Sequence, residues 1–262
     1  MLPVVLRNGV GTAICSVDGD QDGWRTLAPP QQPNQWMDGH SAKELAKLWF
    51  HSGTPLFTPE PFVALFNSEC EFRGLIIEEG ICEVVTAIDA FGGKHRHHDQ
   101  ILIGRVGGRR TVVGVEAKGK EEFGPVIQEY LEDPKGGARP GSNVRARIEL
   151  LANAIFGKPA TEIDSLRYQL LHAFAGTIIE AKRQNAVQAV FMVCEFVRQG
   201  SDPMKRERNH RDFEAFIKAF SGFENTQVRT GQLFGPIHVP GGEFVPAEIP
   251  AYIGKVTINL DS

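Results

Sequence analysis

Asp99, Glu116 and Lys118 flank a hairpin in HHDQILIGRVGGRRTVVGVEAKGKEEFG, residues 97–124. Gly107-Gly108 is a two-residue turn signal between two apolar runs. With that turn Val106 faces Arg109, and counting outward sets Ile101 opposite Gly114 and Asp99 opposite Glu116. Directly opposed residues hold their Cβ atoms about 4.5–5.5 Å apart. Lys118, two residues beyond Glu116, points to the same face. Two carboxylates and one ammonium thus share a face at the open end of the hairpin. Carboxylates held side by side repel, and a cation between them relieves the repulsion. Oxygen ligands with an open shell suit Mg²⁺ or Mn²⁺, with water and phosphate oxygens completing the octahedron. A lysine beside them can polarise a water and stabilise charge on a phosphate. Such a set can hydrolyse a phosphodiester.

The surroundings have the charge a polyanion would meet. Residues 94–118 carry six Lys/Arg against two acids, net +4, with His95, His97 and His98 besides. Lys94, Arg96, Arg109 and Arg110 are the candidate contacts to nucleic acid. The whole chain is −4, so −8 falls on the remainder. That total argues against a generic nucleic-acid coat protein but not against one local basic cleft. An E-x-K on a strand is commonly a solvated ion pair. Here the acids terminate very apolar strands, ILIGRV and TVVGV, which read as buried on both faces.

Other motifs fall short. DGDQDG at 18–23 opens like an EF-hand loop, but Pro29 stands at the twelfth position, where a bidentate Glu is needed. The histidines at 95, 97 and 98 lack a second cluster with zinc-like spacing. KRERNHR at 205–211, net +3, reads as the solvated face of a helix. No phosphate-binding G-x-x-x-x-G-K-[ST] and no G-x-S-x-G is present.

The elements that must position the hairpin follow from periodicity. Ser41 caps a helix over 42–50, with Glu44 at the capping-box position. A short helix near 59–68 carries Phe62, Leu65 and Phe66. The period then turns strand-like through FRGLII, ICEVVTAI, DQILIGRV and RTVVGVEAK. A helix over 144–156 stops at Gly157, and a second spans 165–183. A buried strand at 187–197, a helix over 203–220 opening at Pro203, and a strand at 252–260 complete the chain. Strands cluster ahead of helices, which predicts an α/β (α+β) fold with a mixed sheet. Residues 1–40 are expected to be an N-terminal strand and loop extension, and 41–262 a single domain.

Composition bounds the rest. Of 262 residues, 42% are apolar and 23% charged, which excludes a disordered tail. Gly and Pro recur without a period, which excludes collagen. The sequence has no run of about 18 apolar residues for a membrane span, and its start lacks the apolar core of a signal peptide. Four cysteines without a Cys-x-x-Cys pair are too few for a disulfide framework. A cytoplasmic protein is expected.

Asp99, a hairpin, then Glu116-Ala117-Lys118 resembles the signature of the PD-(D/E)XK, or restriction-endonuclease-like, nuclease superfamily. The order helix, β-meander, helix, strand over roughly 41–200 is similar to the core of that fold. VEAKGKEEFGP (115–125) and LRYQLLHAFAGTIIEA (166–181) look similar to an uncharacterised bacterial family within it. The resemblance implies Asp99 and Glu116 as metal ligands with the Ala117 carbonyl as a third, Lys118 as catalytic lysine, and Mg²⁺ or Mn²⁺ as cofactor. It implies a further acid, with Glu60, Glu69, Glu71 and Glu83 all open and Glu83 favoured. It also implies site or phosphate contacts from the helix after the motif, where Arg167, Gln169 and His172 are the polar residues. The implied activity is phosphodiester hydrolysis, with DNA as partner and a homodimer left open. The alternative is a catalytically inactive module of the same fold that binds nucleic acid or a protein.

Overall fold

The structure is a computed structural model, and it describes residues 2–18, 22–92, 95–200, 202–221 and 229–261. In chain order the elements are Val5–Asn8 (β1), Trp24–Leu27 (α1), Ser41–Phe50 (α2), Glu60–Asn67 (α3), Ile76–Thr86 (β2), Arg96–Val106 (β3), Arg109–Lys118 (β4), Ile127–Glu132 (α4), Val144–Phe156 (α5), Tyr168–Arg183 (α6), Gln188–Val197 (β5), Pro203–Ser221 (α7), Leu233–Ile237 (β6) and Ala251–Asn259 (β7). The strands form one seven-stranded mixed sheet in the order β1-β2-β3-β4-β5-β7-β6. β2, β3 and β4 make an antiparallel meander. β1 runs parallel to β2, and β4, β5 and β7 run parallel to one another. The fold is therefore α/β, with helices on both faces.

Two-sided burial explains why the central strands read as apolar runs rather than alternating ones. Val112, Phe191 and Val193 pack with Ile148, Leu151, Phe174 and Phe216 from α5, α6 and α7. The intervening Val113, Val115, Val190 and Met192 pack with Leu45, Trp49, Phe62 and Phe66 from α2 and α3. Each such side chain contributes about 1.5–3 kcal/mol when fully buried. Helix α6 sits very close to the sheet because Gly114 has no side chain: a Cβ there would lie 2.9 Å from Thr177 Cβ. The hairpin turn is as expected, with φ of 54° and 81° at Gly107 and Gly108, the conformation that matches strand twist. Pairing runs from Val106–Arg109 to Gln100–Val115, the anticipated register.

Two expectations change. FRGLII and ICEVVTAI do not form two strands. Cys70–Phe72 is a 3₁₀ turn, and Ile76–Thr86 is one strand with a register shift between Ile77 and Glu79. Residues 1–40 are not an appendage either: β1 is the edge of the same sheet, and Leu6, Trp24 and Trp36 are buried in the core beneath α2 and α3. Two indole rings carry too much apolar surface to stay outside that core. Part of DGDQDG (19–21) and Lys94 lie outside the described residues. Among the described residues, no helix is long and apolar enough to cross a membrane.

Candidate active site

A cleft of about 290 Å³ opens at the end of the sheet where β4 finishes, and its walls include Glu83, Arg96, Asp99, Glu116, Ala117, Lys118 and Gln169. It lies at the carboxyl ends of parallel strands, where open α/β sheets bind their ligands. The first turn of α6 supplies Gln169, and the N-terminal segment supplies Gln31 and Gln35.

Glu116 is the hub and is only 2% exposed. Its Oε1 accepts hydrogen bonds from Lys118 Nζ at 2.7 Å and Gln169 Nε2 at 2.6 Å. Its Oε2 pairs with the buried Arg96 guanidinium. Asp99 Oδ2 accepts the Ala117 backbone N–H at 2.6 Å, which ties β3 to β4 beyond their last ladder pair. Glu83 enters from β2 with a left-handed backbone, φ 53°. That conformation is uncommon for a residue with a side chain, and such residues cluster at functional sites.

The electrostatics separate the three acids. Burial alone would raise the Glu116 carboxyl, but Arg96 and Lys118 hold it down at about 2. Burial and the neighbouring Glu116 push Asp99 up to about 7. Burial and Asp99 push Glu83 up to about 9. Acids in one cleft with such different proton affinities are a mark of functional sites.

The description of a domain of unknown function, DUF6946, matches residues 17–260 of the chain. The chain belongs to this family. No curated protein and no solved structure matches it significantly.

The DUF6946 domain brings together Asp99, Glu116, Ala117, Lys118, Glu83, Gln169 and Arg96. Arg96 is not a surface contact for nucleic acid: it is 6% exposed and bound to Glu116. His172 follows Gln169 by three residues on α6 and lines an adjoining pocket, its ring 4.6 Å from that of Tyr168. Burial, reinforced by Arg96, lowers its pKa well below the usual range, so it is neutral. Arg167 lies elsewhere. Its Nε binds Asp212 at 2.8 Å and its Nη1 the Gly124 carbonyl at 2.6 Å, fastening the start of α6 to α7. Arg109 and Arg110 sit at the turn end of β4. Seven residues separate Arg109 from Glu116, about 23 Å at strand rise, so neither can touch a phosphate held by the acids. Arg109 pairs with Glu71, and Arg110 donates to Gln184 at 3.4 Å. Glu60, Glu69 and Glu71 do not line the cleft.

One pair escaped the sequence reading. Glu195 on β5 stands in register with Lys118, and it binds Lys255 of β7 at 2.8 Å with both side chains buried. The available signal was a lone charge inside each of the apolar runs AVFMVCEFV and AYIGKVTI.

Hard-cation chemistry fits the donors in kind: Glu83, Asp99 and Glu116 are carboxylates in one cleft, and burial together with a neighbouring carboxylate favours the protonated form of Glu83 and Asp99, which a cation would relieve. Among the described residues no three ligating side chains stand in finished coordination geometry. Both Glu116 oxygens are taken by Arg96, Lys118 and Gln169, so the arginine occupies charge space that an ion would need.

Proposed function

We propose that this domain is a metal-dependent nuclease that hydrolyses phosphodiester bonds, with DNA as substrate. The observation that carries the reading is the convergence of Glu83, Asp99, Glu116 and Lys118 in one cleft. Asp99, Glu116 and the Ala117 carbonyl would hold Mg²⁺ or Mn²⁺, which when bound supplies charge neutralisation and a more acidic water. Lys118, kept beside Glu116 at 2.7 Å, orients a water toward the phosphorus and stabilises charge on the phosphate oxygens. Gln169 fixes the Glu116 carboxylate from the helix side. Four free cysteines fit a reducing cytoplasm, where DNA is met.

Arg96 favours a second reading, because a buried guanidinium on Glu116 is also what a catalytically inactive nucleic-acid- or protein-binding module would keep. One experiment separates them. Plasmid and single-stranded DNA are incubated with Mg²⁺ or Mn²⁺, using Glu116→Ala and Lys118→Ala as controls. Cleavage abolished by both substitutions supports the nuclease. Cleavage that survives both refutes the assigned site, and nucleic-acid binding with no cleavage by the parent supports the inactive module.

A further inference from the structure

Behind the acid cleft lies a second pocket of about 260 Å³ that shares Gln31, Arg96, His97 and Gln169 with it. Its inner walls are of a different kind. Tyr130 and Tyr168 form a stacked pair with ring centroids 5.1 Å apart, and the His172 ring packs on Tyr168. Two buried ring nitrogens there, His95 Nδ1 and His172 Nδ1, have no hydrogen-bond partner. Buried polar atoms are nearly always satisfied, and an exception needs an explanation. Aromatic rings with a few convergent, unspent polar atoms are the chemistry that holds a flat heteroaromatic ring: stacking on the faces, hydrogen bonds at the edge.

The groove continues. Tyr130 and Arg147 also wall a third hollow of about 520 Å³, edged by the glycine-rich loop that carries Lys135 and Arg139. Both of these cations are exposed, and no acidic partner among the described residues pairs with either. A phosphate in the acid cleft, a ring in the tyrosine–histidine pocket and further phosphates by Lys135 and Arg139 describe one continuous strand.

We propose that the tyrosine–histidine pocket receives an unpaired nucleobase of a strand whose phosphate lies in the acid cleft, so that the substrate is single-stranded nucleic acid. The assignment rests on the nuclease reading for which phosphate is cut, but not for which strand is bound. In a duplex the bases are stacked and paired, and none can enter a side pocket without being extruded.

The test is fluorescence anisotropy with a short labelled DNA single strand and with the duplex of the same sequence, in EDTA, beside Mn²⁺ cleavage of both. Tyr130→Ala is the main variant. Tyr130→Phe controls for folding, because it keeps the ring. Single strand should bind about ten-fold tighter than duplex. Tyr130→Ala should weaken single-strand binding about ten-fold and Tyr130→Phe should restore it, with duplex binding unmoved. Equal affinity for the two forms, no binding to either, or an equal loss in the alanine and phenylalanine variants overturns the proposal. Equal cleavage of duplex with no effect of Tyr130 overturns the pocket and leaves the nuclease reading standing. Tight, Tyr130-dependent single-strand binding without cleavage does the reverse.

Discussion

Glu83 should make the metal-free protein lose stability as pH rises from 7 to 9. Its carboxyl is pushed up to about 9 by burial and by Asp99, whereas an unfolded glutamate ionises near 4.3. Across that window the folded state holds one proton that the unfolded state has lost. The slope of unfolding free energy with pH follows the protons bound unfolded minus those bound folded, here minus one. It is therefore negative, about 1.4 kcal/mol per pH unit. The contribution is fully present below the unfolded value and is gone once pH passes the folded value. From pH 7 to 9 the loss is about 2–3 kcal/mol. Asp99, raised to about 7, adds the same sign but is largely spent by pH 8. His98 and His172, both lowered chiefly by burial, act oppositely, but only below the ordinary histidine range. The buried Cys82 and Cys194 thiols, raised by burial, steepen the fall near pH 9 in parent and variant alike. Glu83→Gln isolates the term, because glutamine has the same size and no proton to lose. Urea unfolding in EDTA at pH 7, 8 and 9 should give a falling midpoint for the parent and a markedly flatter one for Glu83→Gln. Parallel curves for the two proteins would refute the argument that this carboxyl is held neutral by its neighbours.

Three further outcomes test other parts of the site and its frame. Arg96→Met frees one Glu116 oxygen: metal-free stability should drop by about 3 kcal/mol, as for a broken buried pair, while Mn²⁺ affinity by titration calorimetry rises. Unchanged or weaker Mn²⁺ binding would mean that the arginine does not compete with an ion. Gly114→Ala drives a methyl into Thr177 and should cost about 1–3 kcal/mol in urea unfolding, with part recovered by Thr177→Ala. Glu195→Ala strands the Lys255 ammonium in a buried position and should cost about 3–5 kcal/mol, read as a fall in melting temperature. No change there would show that Lys255 finds water.

The hairpin was legible because its information is local. Gly107-Gly108 sets the turn, a period of two sets the facing, and apolar runs on both strands signal two-sided burial. Asp99, Glu116 and Lys118 follow from counting alone. Glu83 does not. Its strand holds a register shift and its own backbone is left-handed, so no periodicity reports where its carboxyl points. The role of residues 1–40 was hidden for another reason. Their turn-rich composition is that of a loop, and only tertiary packing of Leu6, Trp24 and Trp36 makes them a wall.

Charge counting failed in a more instructive way. A net +4 over residues 94–118 reads as a basic cleft, but a sum of signs ignores partners. Arg96 and Lys118 are bound to Glu116, Arg105 faces Glu78 at 3.4 Å, and Arg109 pairs with Glu71. Two of those three acids, Glu71 and Glu78, lie outside the counted segment, where a linear window misses them. At the cleft itself five carboxylates, Glu83, Asp99, Glu116, Glu121 and Glu122, meet the two cations Arg96 and Lys118, and burial with a neighbouring carboxylate favours the protonated form of Glu83 and Asp99. Such a site has no surplus positive charge with which to draw in a phosphate. Attraction for a polyanion must come from a bound divalent ion or from cations farther along the groove, and Lys135 and Arg139 are exposed in the right place. Phosphate binding at the acids is therefore weak without metal and rises steeply with it, so that metal-free affinity for a strand rests on the tyrosine–histidine pocket and on Lys135 and Arg139.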